Sequence, residues 1–156
     1  MKIAKITLCQ LPARHVVSVR KTIDFFTEYG PLMGEALTAI NTLIERQEIF
    51  PSSGPIVCFH NVDLKALDVE ISLQVPVEVP GSELVESKVL PAQTVVRTID
   101  CGAYEKQDST LEALLKWVPT NNYRAAGGIY YHYLNEERQK PDECLTEMYV
   151  PVEKST

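Results

Sequence analysis

A short pattern occurs twice in this chain, and no other feature limits its fold as much. Leu11-Pro12-Ala13 leads into the β-rich run His15-Val16-Val17-Ser18-Val19, and Leu90-Pro91-Ala92 leads into Thr94-Val95-Val96-Arg97. Further on, residues 70–77 and 147–152 both end in Val-Pro-Val. These matches lie about 79 and 75 residues apart and come in the same order. Self-similarity at a fixed period signals a repeated supersecondary unit. The chain is therefore read as one domain over residues 1–156, with halves of about 1–79 and 83–156 that join near Pro80-Gly81-Ser82.

Each half offers the same order of elements. The first begins with a strand over residues 5–23, open to a break at Pro12. A helix over 32–47 follows, with Leu32, Met33, Ala36, Leu37, Ile40, Leu43 and Ile44 at helical spacing. Phe50-Pro51-Ser52-Ser53-Gly54-Pro55 stops it. Two strands come next, 56–61 and 67–77. The second alternates Val69, Ile71, Leu73 and Val75 with Asp68, Glu70, Ser72 and Gln74. The second half repeats this with a strand over 86–100 and a helix from Ser109, where Ser109-x-x-Glu112 fits a capping box. That helix carries the stripe Leu111, Leu114, Leu115 and Val118 and ends at Pro119. Strands over 129–134 and 145–152 close the chain. The predicted fold class is α+β: a duplicated strand–helix–strand–strand unit, giving a pseudo-two-fold antiparallel sheet with two main helices and an apolar, aromatic pocket between the halves.

Charge and motif content exclude several functions. The net charge is -6, with 15 Lys and Arg against 21 Asp and Glu. No basic run is present, so direct nucleic-acid binding is not expected. Cys9, Cys58, Cys101 and Cys144 match no zinc spacing and read as reduced buried thiols. His15, His60 and His132 are scattered, so no metal is expected, and no phosphate-binding glycine loop occurs, so no cofactor is expected. No leader and no apolar stretch of membrane-spanning length is visible. These readings together predict a cytoplasmic protein.

Among the residues that could carry chemistry, Glu147 stands in an otherwise apolar strand and shares a face with Tyr149 by alternation. A carboxylate in such surroundings can hold a cation or act as a base toward water. Glu70 occupies the related place in the first half. Tyr130, Tyr131 and Tyr133 crowd one strand, and Trp117 falls beside the second helix's stripe. Aromatic faces bind flat or cationic molecules by stacking and cation–π contact. Trp117 and Tyr131 are taken as candidate walls, with Phe59, whereas Tyr130 and Tyr133 are read as ordinary tyrosines.

Three segments together resemble a known family: Cys101-Gly102-Ala103-Tyr104-Glu105-Lys106, residues 111–118, and Asn122-Tyr123-Arg124-Ala125-Ala126-Gly127. With the strands at 67–71 and 146–152, the chain resembles the GyrI-like effector-binding family over nearly its whole length. The resemblance implies a duplicated fold with a ligand pocket on the pseudo-axis. Family members are fused to AraC-type or MerR-type DNA-binding domains and sense drugs, or stand alone. Stand-alone relatives include a gyrase inhibitor and hydrolases of cyclopropane-bearing toxins that use an aromatic cage and a glutamate. This chain looks like the stand-alone type. It departs from the family in having Gly102-Ala103-Tyr104 for Gly-Pro-Tyr, and Tyr131 where a glutamate is frequent.

The leading expectation is a binding protein for hydrophobic aromatic drugs or xenobiotics, cations among them, acting in sensing or sequestration. Its ligand-binding residues would be Glu147, Tyr149, Trp117, Tyr131, Glu70, Phe59 and Tyr104. The alternatives are a xenobiotic hydrolase with Glu147 as the catalytic residue, and an inhibitor that works through an unidentified protein partner.

Overall fold

The computed structural model describes residues 2–3, 5–103, 107–135 and 140–155. Every strand pair recorded in it is antiparallel. Strands β1 (Lys2–Ile3), β2 (Thr7–Leu11) and β3 (Arg14–Ile23) precede helix α1 (Phe25–Arg46). After it come β4 (Ile56–Phe59), β5 (Leu67–Val75), β6 (Glu86–Leu90) and β7 (Gln93–Cys101). Helix α2 (Asp108–Thr120) is followed by β8 (Tyr123–Ala125), β9 (Ile129–Tyr133) and β10 (Leu145–Lys154). The fold is α+β, as the patterning predicts. The long first strand of each half is interrupted at Pro12 and Pro91, where proline cannot donate to the ladder.

The chain forms two compact units, residues 13–91 and residues 1–12 with 92–156. In the first, β3 is flanked by β5 and β6, and β5 also pairs with β4. Helix α1 packs on β3 and β5. It buries Leu32, Ala36, Ile40, Leu43 and Ile44, while Met33 and Leu37 from the predicted stripe are half-buried. Each fully buried Leu or Ile contributes roughly 1.5–3 kcal/mol. The helix starts seven residues earlier than the pattern indicates. Asp24 is the cap: its carboxylate accepts from the Phe26 amide at 2.9 Å, and Glu28 accepts from the Asp24 amide at 3.0 Å. Pro31 lies inside the helix.

In the second unit, β10 is the central strand, paired with β7 on one side and with β9 and β8 along the other. β1 and β2 line the far edge of β7. Helix α2 packs on β7, β8 and β10. Its core joins Val96, Leu114, Val118, Met148, Val150 and Val152. The capping box at Ser109 does not form the helix start. Gln107 is the cap residue, without a side-chain cap bond, and its amide nitrogen donates instead to Thr146 Oγ1 at 2.9 Å. The helix runs through Pro119 to Thr120. It hands over through Asn122, whose φ of 64° is a left-handed conformation that asparagine accepts readily. No helix among the described residues is long and apolar enough to cross a membrane.

The two units share the order strand–helix–strand–strand, with β8 as an addition in the second. Their registers refine the repeat alignment. Ser18 faces Ser72, and Arg97 faces Tyr149. Anchoring on the Leu-Pro-Ala match makes Ser18 and Arg97 equivalent, so Glu70 and Glu147, two residues before those partners, correspond. The Val-Pro-Val match is two residues out of this register.

Candidate ligand-binding carboxylates

Among the described residues, each unit holds one buried glutamate on the sheet face turned away from its helix. On β10, alternation sends Met148 and Val150 toward α2 and Glu147 and Tyr149 to the opposite face. Glu147 is 8% exposed. Arg97 Nη1 from β7 donates to its Oε2 at 2.7 Å, and His132 Nδ1 from β9 lies 3.5 Å from its Oε1. Burial pushes this carboxyl up, but the bonds and charges of His132 and Arg97 outweigh that and hold it below the usual carboxylate range. Beside it, Tyr149 is fully buried and stacks on Tyr130, with ring centroids 4.7 Å apart and planes 4° from parallel. The face thus pairs an ionised carboxylate with a buried stack of two tyrosine rings.

The first unit builds the equivalent arrangement around Glu70. His60 Nε2 lies 2.8 Å from Glu70 Oε1, and Lys88 from β6 is paired with Oε2. Burial again raises the carboxyl, and Lys88, the Ser18 hydroxyl and His60 together hold it below its ordinary value. Next to it, Arg20 grips Asp68 through two bonds of 2.9 and 2.7 Å. In both units a carboxylate on the last strand of the strand–helix–strand–strand order meets a histidine and a cation brought in by neighbouring segments.

Within each unit the predicted site residues fall on opposite faces of the sheet. Glu147 and Tyr149 come together, and Tyr130, read as an ordinary tyrosine, joins them. Trp117 and Tyr131 lie on the other side of the same sheet, packed against the α2 core, with Trp117 stacked on Tyr123 at 5.7 Å. Burial there pushes the Tyr131 phenol up to about 12, so it is neutral at any physiological pH. In the first unit, Phe59 faces away from Glu70 by alternation and packs on Tyr29 at 6.0 Å. Tyr104 lies outside the described residues. Sequence reasoning missed Arg97, Lys88, His60 and His132. They sit 50, 18, 10 and 15 residues from the carboxylates they serve, and only the strand registers bring them in. Among the described residues no group of three or more His, Cys, Asp or Glu is arranged to hold a metal ion.

The family model for the GyrI-like small-molecule-binding domain matches residues 4–153. This chain belongs to that family. No curated protein matches it in sequence. Among solved structures, the EcmrR C-terminal domain is similar at 24% identity and a TM-score of 0.79, covering 96% of this chain and 98% of that one. The DNA-bound EcmrR chain matches at 23% identity and a TM-score of 0.83, and this chain spans only 57% of its length. A hydrolase from Listeria innocua matches at 14% identity and a TM-score of 0.70, with 96% and 92% covered. At these identities the structures share the fold with this chain.

Proposed function

We propose that this domain binds hydrophobic aromatic molecules, lipophilic cations among them, on the face that carries Glu147, and that it serves in ligand sensing or sequestration. The observation that carries this reading is the buried, ionised Glu147 beside the parallel Tyr149–Tyr130 stack. A carboxylate out of bulk water attracts a cation more strongly than a surface one does, and the tyrosine rings supply contact area and a cation–π face. A similar fold has been described bound to tetraphenylphosphonium, in SAV2435, at 13% identity, a TM-score of 0.65 and coverage of 96% of this chain and 94% of that one. That makes this cation a sensible first probe.

The test is calorimetric titration with tetraphenylphosphonium and a panel of planar aromatic dyes. Trp117 is a poor reporter, because it stands behind the sheet from Glu147. Saturable binding is expected, and Glu147→Gln should weaken the cation by about tenfold, or about 1.4 kcal/mol. Absence of binding across the panel would refute the proposal.

One observation favours a second reading, hydrolysis. His132 Nδ1 faces Glu147, while its Nε2 is buried without a partner among the described residues. A carboxylate-oriented imidazole with an open nitrogen can accept a proton from water. The lowered Glu147 makes a weak base, so in this reading His132 is the base and Glu147 orients it. Multiple turnover of a strained-ring electrophile, lost in His132→Asn but kept in Glu70→Gln, would move the assignment from binder to hydrolase.

A further inference from the structure

Of the four cysteines, Cys58 has a histidine ring beside its sulfur. Cys9, Cys101 and Cys144 direct their thiols at the backbone carbonyls of Gln10, Asp142 and Lys140, at 3.6, 3.4 and 3.6 Å. Cys58 has a ring nitrogen within reach, with Sγ 3.8 Å from His60 Nδ1. Cys58 and His60 stand two apart, so the pleat turns both to the same side, where Cys58 lies opposite Glu70 in the ladder. The other nitrogen of His60 is 2.8 Å from Glu70 Oε1. An ionised carboxylate only accepts, so Nε2 carries the ring proton and Nδ1 turns its lone pair toward the thiol. Nucleophile, base and orienting carboxylate are thus lined up in sequence.

From this geometry we infer that Cys58 is an activated thiol, a modification site for soft carbon electrophiles such as haloacetamides and maleimides. The charged groups that face it are His60 and Glu70, Lys88 on Glu70, and the Arg20–Asp68 pair, with Arg20 within electrostatic reach of the sulfur. In the reaction, the thiol proton passes to His60 Nδ1 and the resulting imidazolium is held by Glu70. The thiolate gives its electron pair to the electrophilic carbon. With iodoacetamide an S–C bond forms, the C–I bond breaks and iodide leaves, after which His60 returns its proton to solvent. With a maleimide the sulfur adds to one alkene carbon, and the proton on His60 ends on the other.

Cys144 is an internal control, since it is 5% exposed against 2% for Cys58. The full chain is treated with iodoacetamide in the folded state at pH 6.5 and the rate at each cysteine is read by peptide mass spectrometry. Cys58 is expected to react at least tenfold faster than Cys144. His60→Asn should reduce Cys58 to the rate of Cys144 while leaving Cys144 itself unchanged, which separates loss of activation from general loosening of the fold. The inference is overturned if Cys58 reacts no faster than Cys144 in the wild-type chain, including the case in which neither reacts, or if its advantage survives His60→Asn. Because the readout is alkylation, the result is independent of whether aromatic cations bind at Glu147.

Discussion

Glu147 is 8% exposed, whereas the side chain of its partner Arg97 is 39% exposed. The two members of this pair therefore differ in what their removal leaves behind. Arg97→Ala leaves the buried Glu147 carboxylate with His132 as its remaining ion partner among the described residues, and leaving a buried charge undercompensated costs about 3 kcal/mol. Glu147→Gln leaves a guanidinium that water can reach, and should cost about 1 kcal/mol. Urea unfolding at pH 7 should rank them in that order; equal losses would mean the pair is not buried in solution. Acid gives a second check. Both Glu70 and Glu147 are held below their ordinary values in the folded state. Their contribution is therefore fully present above about pH 4.5, the unfolded value, and is lost as pH falls through the lower folded values. Stability should be nearly flat in these groups at neutral pH and fall below pH 4.5. The double variant Glu70→Gln, Glu147→Gln should fall less steeply. The facing of Glu147 and Tyr149 was legible, because strand alternation has a period of two. The ion partners were not, since nothing local in a sequence specifies which residue of another strand stands opposite.

At the scale of elements, the patterns that were read well are those with a local physical origin. The apolar face of β5 and the stripe of α1 are buried as their spacing predicts, but Glu70 and Ser72 on the polar face of β5 are buried too, and in α2 Leu114 and Val118 are buried while Leu115 is exposed. The stripe that begins at Leu32 does not mark the start of α1, because the turns from Phe25 to Pro31 lie before it. The structure resolves this through the cap: Asp24 and Glu28 exchange bonds with the amides at the helix start. Substituting such a cap by alanine typically costs about 1 kcal/mol. Asp24→Ala should accordingly lower the urea midpoint by that amount without changing the denaturant slope. An unchanged midpoint would show that the aromatic contacts of Phe25 with Phe26 and Tyr29, at 5.8 and 5.1 Å, hold the first turns without the cap.

At the scale of the whole molecule, the relevant question is what this chain does with its positive charge. It matches a regulator described on DNA, yet covers 57% of that chain, so the resemblance carries no information about which part touches nucleic acid. Charge does. The chain has 15 Lys and Arg against 21 Asp and Glu, and several of those cations are already engaged: Arg20 with Asp68, Lys88 with Glu70, Arg97 with Glu147, and Arg124 with Glu153 at 2.6 Å. Non-specific affinity for duplex DNA comes from cations that replace condensed counterions, and typically lies near 10⁻⁴–10⁻⁶ M for proteins that have such a surface. The net charge of -6, together with the pairing of Arg20, Lys88, Arg97 and Arg124 with carboxylates, argues against such a surface on this chain. Fluorescence anisotropy with a labelled duplex at about 150 mM salt should show no binding up to about 100 µM protein, and lowering the salt should not bring it in. Binding that strengthens steeply as salt is withdrawn would reveal a cationic surface that the pairing above does not account for, and would make this chain a nucleic-acid-binding protein in its own right.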